Sequence, residues 1–327
     1  MAAVLGAGSW GTALACLLAR RGRSVRLWAR SPDVASRLTE DRENRHYLPG
    51  VEFPADLEVT SRLEDVTDAD IVLAVPTGAQ REVARRLAAT GSVERVLCAA
   101  KGYEPETRKR MSEVLAEELR PEVGVAILAG PSHAEEVGRE IPTTVVVSSL
   151  DESVALAFQE LLHAPTFRVY TNIDLLGVET AAALKNVIAI GVGISDGLGF
   201  GDNTKGALLT RGLAEITRLG EALGARTETF FGLAGIGDLV TTGISAHSRN
   251  RKIGELVARG RTLEEAVRET GMVAEGVETT RSALVIAQEL GVELPITEQV
   301  EKVLFEGKSP RDALGALMGR DAKAEVR

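Results

Sequence analysis

The feature that most constrains this chain lies in its first dozen residues. A short apolar run, Ala2 to Leu5, leads directly into Gly6-Ala7-Gly8-Ser9-Trp10-Gly11, then into the helical pattern TALACLLARR and a second β-type run at Val25 to Trp28. Strand, glycine turn, helix and strand in that order form the opening unit of a dinucleotide-binding sheet. In such a turn Gly6 permits the tight bend, Gly8 lets the backbone approach a pyrophosphate, and Gly11 lets the helix pack on the strand. The pyrophosphate then meets the N–H groups at the helix start, where the helix dipole favours an anion. Ser9 and Trp10 lie between the glycines and fall in the same turn.

The pattern continues to about residue 170 as short β-branched runs alternating with helical segments: DIVLAV, RVLCAA, VGVAIL and TTVVVSS, with a helix around Val114 to Leu119. That alternation predicts a mostly parallel sheet covered by helices. Beyond Asn172 the β-rich runs give way to apolar residues at three- and four-residue spacing, as in ALLTRGLAEITRLGEAL, RKIGELVARG and TRSALVIAQELG. An α/β class follows: a Rossmann-type domain over residues 1–173 and an all-helical substrate and catalytic domain over residues 174–327, divided between Thr171 and Gly177.

Charge narrows the partners. The 327 residues carry a net charge of −9 and only 4% aromatics, which argues against nucleic acid and anionic membrane as partners, so an anionic ligand needs a local cluster of cations. The apolar stretch Val187 to Ile194 reads as too short and glycine-broken to span a bilayer, and no charged leader precedes an apolar signal segment. A cytoplasmic location is expected. Cys16 and Cys98 sit far apart in apolar runs and read as buried, reduced thiols, with no metal site implied.

Where the second strand ends, an acidic residue would bind the ribose hydroxyls of NAD; here Trp28-Ala29-Arg30-Ser31 places an arginine suited to a 2′-phosphate. NADP(H) is therefore favoured, with NAD(H) possible. Farther on, Lys185 falls on the same side of a predicted helix, Glu179 to Ile190, as Ala181, Leu184 and Ile188, with Asn186 beside it. A lysine on an apolar face either reaches water along its stem or is desolvated, and desolvation makes it an acid or base near neutral pH. Ser248-Arg249-Asn250 precedes another helix and reads as an N-cap or a phosphate site. Lys101 and Gly130-Pro131-Ser132-His133 each follow a strand, where α/β sheets place ligand loops. His133 and His247 are further acid–base candidates, His133 or His247 being imaginable in a dyad with Asp238, but no orienting partner is visible in the sequence for either.

Taken together, GAGSWGTALA from Gly6, KG at Lys101, GPSHAEEV from Gly130, ALKNVIAIGVGISDGLGFGDNTK from Ala183, GLAGIGDL from Gly232, SRNR from Ser248 and VAEGVETT from Val273 resemble the bacterial NAD(P)-dependent glycerol-3-phosphate dehydrogenases over essentially the whole chain. The resemblance implies reduction of dihydroxyacetone phosphate to sn-glycerol 3-phosphate, feeding glycerophospholipid synthesis, in a homodimer. It implies cofactor contacts at Ser9, Trp10, Arg30, Lys101, Ala134, Arg249, Val273 and Glu275. It implies substrate contacts at Lys101, Gly130, Ser132, Lys185, Asp238, Ser248, Arg249 and Asn250, with Lys185 as the proton-transferring residue. His133 stands where an aromatic is common in the family, and Gly206 where alanine is. Two other readings stay open: a 3-hydroxy acid or 6-phosphogluconate type dehydrogenase, against which SRNR and GLAGIGDL argue, and a non-catalytic NAD(P)H redox sensor.

Overall fold

The computed structural model describes residues 1–67, 69–91, 93–271, 273–322 and 324–325. The chain divides into two compact units, each discontinuous in sequence: Met1–Ala182 with Ala225–Asp238, and Ala183–Gly224 with Leu239–Arg327.

The first unit is built on eight strands: β1 (Ala2–Leu5), β2 (Val25–Trp28), β3 (Leu57–Thr60), β4 (Asp70–Leu73), β5 (Arg95–Cys98), β6 (Gly124–Ala129), β7 (Thr143–Ser148) and β8 (Phe167–Asn172). Their order across the sheet is β3-β2-β1-β4-β5-β6-β7-β8. All neighbours run parallel except β6 and β7, which pair antiparallel with Leu128 opposite Val147. The order reverses at β1, which has β2 on one side and β4 on the other. In open α/β sheets, ligands bind outside the carboxyl ends of strands at such a reversal.

Helices α1 (Ser9–Arg20), α2 (Pro32–Asp41), α3 (Thr77–Ala88), α4 (Met111–Glu118), α5 (Ala134–Gly138) and α6 (Glu152–Leu162) complete the layers. The central strands are apolar on both faces, as a doubly covered parallel sheet requires, and Leu14, Leu18, Leu27, Leu57, Phe158 and Phe167 meet in one buried cluster. β3 and β8 were not evident in sequence: LEVT fully buries only Leu57, and FRVYTN alternates buried with exposed residues over its first four positions, as suits the two sheet edges.

Helix α7 (Leu175–Gly197) runs 23 residues, well beyond the apolar stretch read from sequence, and is long and apolar enough to cross a membrane. Its apolar window is 94% buried within the protein, the pattern of a core helix. α8 (Asp202–Leu223) follows. The chain then re-enters the first unit through α9 (Thr227–Phe230) and a π-helical turn, Leu233–Gly237. Asp174 holds this returning segment by accepting from the Arg226 N–H at 2.9 Å and the Thr229 hydroxyl at 2.6 Å.

The second unit is helical: the Lys185 half of α7, α8, and then α10 (Asp238–Ile244, from Leu239), α11 (Arg249–Ala258), α12 (Leu263–Thr270), α13 (Glu275–Glu289), α14 (Pro295–Phe305) and α15 (Pro310–Met318). Small residues bring α7 and α11 to backbone contact. A Cβ on Gly193 would stand 1.9 Å from the Arg251 carbonyl oxygen, and one on Gly254 would stand 2.1 Å from that of Ile190.

Candidate active site

The glycine turn is shaped by what surrounds it. Gly6 leaves β1 with φ +117°, a conformation L side chains rarely adopt, and a Cβ there would press to 2.9 Å on the Ala74 backbone. A Cβ on Gly11 would lie 1.9 Å from the Gly6 carbonyl oxygen, so α1 packs directly on its own turn. Gly8 is different, because nothing stands within 4 Å of where its Cβ would be.

Gly8 is also the N-cap residue of α1, which has no side-chain cap. An open cradle at an uncapped helix start fits the pyrophosphate of a dinucleotide. The buried Trp10 Nε1 has no hydrogen-bond partner among the described residues. Trp10 packs on the apolar cluster that contains Ala134, the first residue of α5. Arg30 is exposed just past β2, next to Ser31 at the N-cap position of α2, and these residues suit a 2′-phosphate.

At the ends of β5 and β6 a second cluster forms around Lys101. Its ammonium donates to the Gly130 carbonyl oxygen at 2.9 Å, the Ser132 hydroxyl at 3.2 Å and the Asp238 carboxylate at 2.8 Å. Gly130 adopts φ +107°, and a Cβ there would come within 3.1 Å of the Val145 Cα. Ser132 in turn donates to the Gly130 carbonyl at 2.9 Å. Asp238 reaches the cluster on the returning segment, where Gly237 lies against Pro131.

The loop carrying Lys101 is pinned by Glu104, which receives two bonds of 2.8 Å from the Arg81 guanidinium on α3. Hydrogen bonding to Arg81 lowers the Glu104 carboxyl below its ordinary range. On the neighbouring α4, Ser112 donates its N–H and hydroxyl to Glu179 at 2.8 and 2.6 Å, and burial pushes the Glu179 carboxyl upward.

The second unit holds the other lysine. Lys185 is 6% exposed and donates to the Thr242 hydroxyl at 2.8 Å. Beside it, Asn186 accepts from the Asn250 amide at 2.9 Å, and Asn250 accepts from the Gly276 N–H at 3.0 Å. A Cβ on Gly276 would strike that Asn250 oxygen at 2.6 Å. Ser248 caps α11 by accepting from the Arg251 N–H at 3.2 Å, and Arg249 donates to the Val273 carbonyl at 3.1 Å. Glu275 opens α13 immediately afterwards.

The candidate residues thus gather within each unit. In the first are the turn with Ser9, Trp10 and Ala134, the exposed Arg30, and the Lys101, Gly130, Ser132 and Asp238 cluster. In the second are Lys185, Ser248, Arg249, Asn250, Val273 and Glu275. His133 occupies the N-cap position of α5, its carbonyl accepting from Glu136 and Val137. The sequence reading missed Thr242, the Arg81–Glu104 pair, and Asp196, which binds Arg251 at 2.6 Å and Lys205 at 3.0 Å and ties α11 to α7. The Lys185 stripe gave half of the Thr242 contact; the partner helix gave no signal of its own.

Comparison with known proteins accounts for both halves. Residues 1–155 match the family described as NAD-dependent glycerol-3-phosphate dehydrogenase N-terminus, and residues 174–315 match its C-terminus counterpart. The chain is 54% identical to glycerol-3-phosphate dehydrogenase [NAD(P)+] of Chlorobium limicola, covering 99% of each chain. It is 53% identical to that of Pelotomaculum thermopropionicum, covering 99% of this chain and 94% of the other. The crystal structure of glycerol-3-phosphate dehydrogenase from Coxiella burnetii superposes with a TM-score of 0.93 at 40% identity, covering 97% of this chain and 98% of that one. The chain belongs to the NAD-dependent glycerol-3-phosphate dehydrogenase family.

Proposed function

We propose that this protein is an NAD(P)-dependent sn-glycerol-3-phosphate dehydrogenase that reduces dihydroxyacetone phosphate and supplies the glycerol backbone for phospholipid synthesis in the cytoplasm. The observation that carries the reading is the buried Lys185 ammonium, held on Thr242 beside the Asn186–Asn250 pair, in a chain matching the family through both halves. A bound nicotinamide supplies the hydride.

The chain's own residues do the rest. Lys185 protonates the substrate oxygen as the ketone becomes an alcohol, a task suited to an ammonium kept from bulk water. Lys101, oriented by Asp238, Gly130 and Ser132, adds a second cation where negative charge develops. Ser248, Arg249 and Asn250 hold the substrate phosphate at the start of α11, where hydroxyl, guanidinium and helix dipole all favour an anion. Arg30 selects NADPH, and Arg249, Val273 and Glu275 complete the cofactor contacts. The working form is a homodimer.

Loss of reduced-nicotinamide absorbance on adding dihydroxyacetone phosphate to the protein with NADPH, and separately with NADH, tests the reaction and the cofactor preference. Lys185→Ala should lower turnover by about 10²–10⁴-fold while leaving NADPH affinity in place. Near-full turnover in that variant would remove Lys185 from the chemistry. A solution mass equal to one chain would exclude the dimer.

A further inference from the structure

Between α2 and β3 the chain makes a long excursion, residues 42–56, where α/β units commonly connect in about 2–6 residues. It is firmly built. Arg42, with φ 51°, donates to the Leu57 carbonyl at 2.8 Å, and Glu43 accepts from the Gly50 N–H at 2.8 Å. Leu48, Val51 and Phe53 are buried in the cluster beneath α1 and α5. Connections this long in a compact domain, when ordered, commonly serve a functional site.

At the start of the excursion stands Asn44, 3% exposed. Its amide nitrogen donates to the Ala7 carbonyl at 3.0 Å and the Thr12 hydroxyl at 2.8 Å, and its oxygen accepts from the Tyr47 N–H at 3.3 Å. Both amide hydrogens and the oxygen are engaged, so the partners fix which way the amide faces. Ala7 is the residue between the first two glycines of the turn. In a planar trans peptide the C=O and the following N–H point in opposite directions, so a carbonyl of Ala7 tied to Asn44 turns the Gly8 N–H away from Asn44. Gly8 is also the glycine whose Cβ direction is open.

We propose that Asn44 is a positioning residue for the cofactor: by gripping the Ala7 carbonyl, it sets the Ala7–Gly8 peptide so that the Gly8 N–H is presented to the dinucleotide pyrophosphate. This rests on the reading of the turn as a dinucleotide site. Asn44 itself touches no reacting atom. Its action is on cofactor binding and specifically on the pyrophosphate.

The test uses the purified full-length enzyme, with NADPH binding followed by nucleotide fluorescence and adenosine 2′-monophosphate, which lacks the pyrophosphate, as a competing probe. Asn44→Asp keeps the shape but sets an oxygen against the Ala7 carbonyl; Asn44→Ala removes the grip, and Thr12→Val removes only the second contact. For both Asn44 variants the NADPH Kd should rise roughly 10- to 100-fold, the range of one hydrogen bond to a charged group. Adenosine 2′-monophosphate binding, turnover at saturating NADPH, and the KM for dihydroxyacetone phosphate should stay within about threefold, less than 1 kcal/mol. Thr12→Val should weaken NADPH less than Asn44→Ala does.

If Asn44→Asp does not fold, Asn44→Ala carries the same comparison at the level of urea-checked folded protein. An unchanged NADPH Kd in a folded Asn44→Ala enzyme overturns the proposal, as does an equal loss of NADPH and adenosine 2′-monophosphate, which would mark a general structural role. Failure of the unaltered enzyme to bind NADPH at all would instead overturn the dinucleotide reading.

Discussion

The Lys101 ammonium lies 2.8 Å from the Asp238 carboxylate, with the lysine side chain 12% exposed and the aspartate 3%. Removing one partner of a buried pair leaves the other charge uncompensated and costs about 3–5 kcal/mol, whereas removing both is far milder. Asp238→Asn should therefore lower unfolding stability by about 3 kcal/mol. Lys101→Met combined with Asp238→Asn should recover most of that loss while leaving the enzyme inactive. Denaturant unfolding with an activity assay checks this, and full additivity of the two substitutions would show that the pair is not coupled.

Arg30 stands exposed beside the N-cap of α2. If it grips a 2′-phosphate, the bond belongs to the charged class, about 1.5–3 kcal/mol. Arg30→Ser should then raise the NADPH Kd roughly 10- to 100-fold and leave the NADH Kd nearly unchanged, since tenfold corresponds to about 1.4 kcal/mol. Parallel titrations with the two nucleotides decide it; equal weakening of both would remove Arg30 from specificity.

Glu215 on α8 accepts from the Thr297 N–H at 3.2 Å and also from the Ile296 N–H, capping α14 from a distant helix. Burial raises its carboxyl from 4.5 to about 7, against the lowering effect of those N–H groups. Between those values the folded protein holds a proton that the unfolded chain has released. Its contribution to stability is thus fully present below pH 4.5 and is lost as pH rises through about 7. Relative to Glu215→Gln, the unaltered protein should lose up to about 3 kcal/mol across that window, at 1.36 kcal/mol per pKa unit. Parallel pH–stability curves for the two proteins would show that Glu215 does not titrate there.

Gly193 lets α7 touch α11, since its Cβ would lie 1.9 Å from the Arg251 carbonyl oxygen, which is main chain and cannot swing aside. Gly193→Ala should cost about 1–3 kcal/mol of stability, the range for overpacking a filled interior. The neighbouring Asn186–Asn250 bond at 2.9 Å depends on the same approach, so substrate KM should rise as well. Thermal unfolding and steady-state kinetics measure both, and an unchanged enzyme would mean the helices part without consequence.

How much of this was legible in sequence depends on chain distance. The strand, glycine turn and helix at the start read directly because their signals are contiguous, and Lys185 stood out because its apolar neighbours lie on its own helix. Thr242 is 57 positions from Lys185, Glu104 is 23 from Arg81, and Ile296 is 81 from Glu215. Each is an ordinary polar residue locally and acquires a role only through tertiary pairing. Edge strands β3 and β8 escaped for the opposite reason: one polar edge gives them a weak pattern. Asn44 shows the same limit, since a lone asparagine in a turn-rich stretch gives no sign that it grips a carbonyl 37 positions earlier.

The return of Ala225–Asp238 to the first unit bears on how such an enzyme can be remodelled. A chimera joined once after Ala182, exchanging everything downstream for a relative's sequence, would inherit its Lys101 from one parent and the carboxylate that neutralises it from the other. Modular inheritance is therefore restricted: passing on the nucleotide half as a single contiguous block leaves the 225–238 segment, and Asp238 with it, to the other parent.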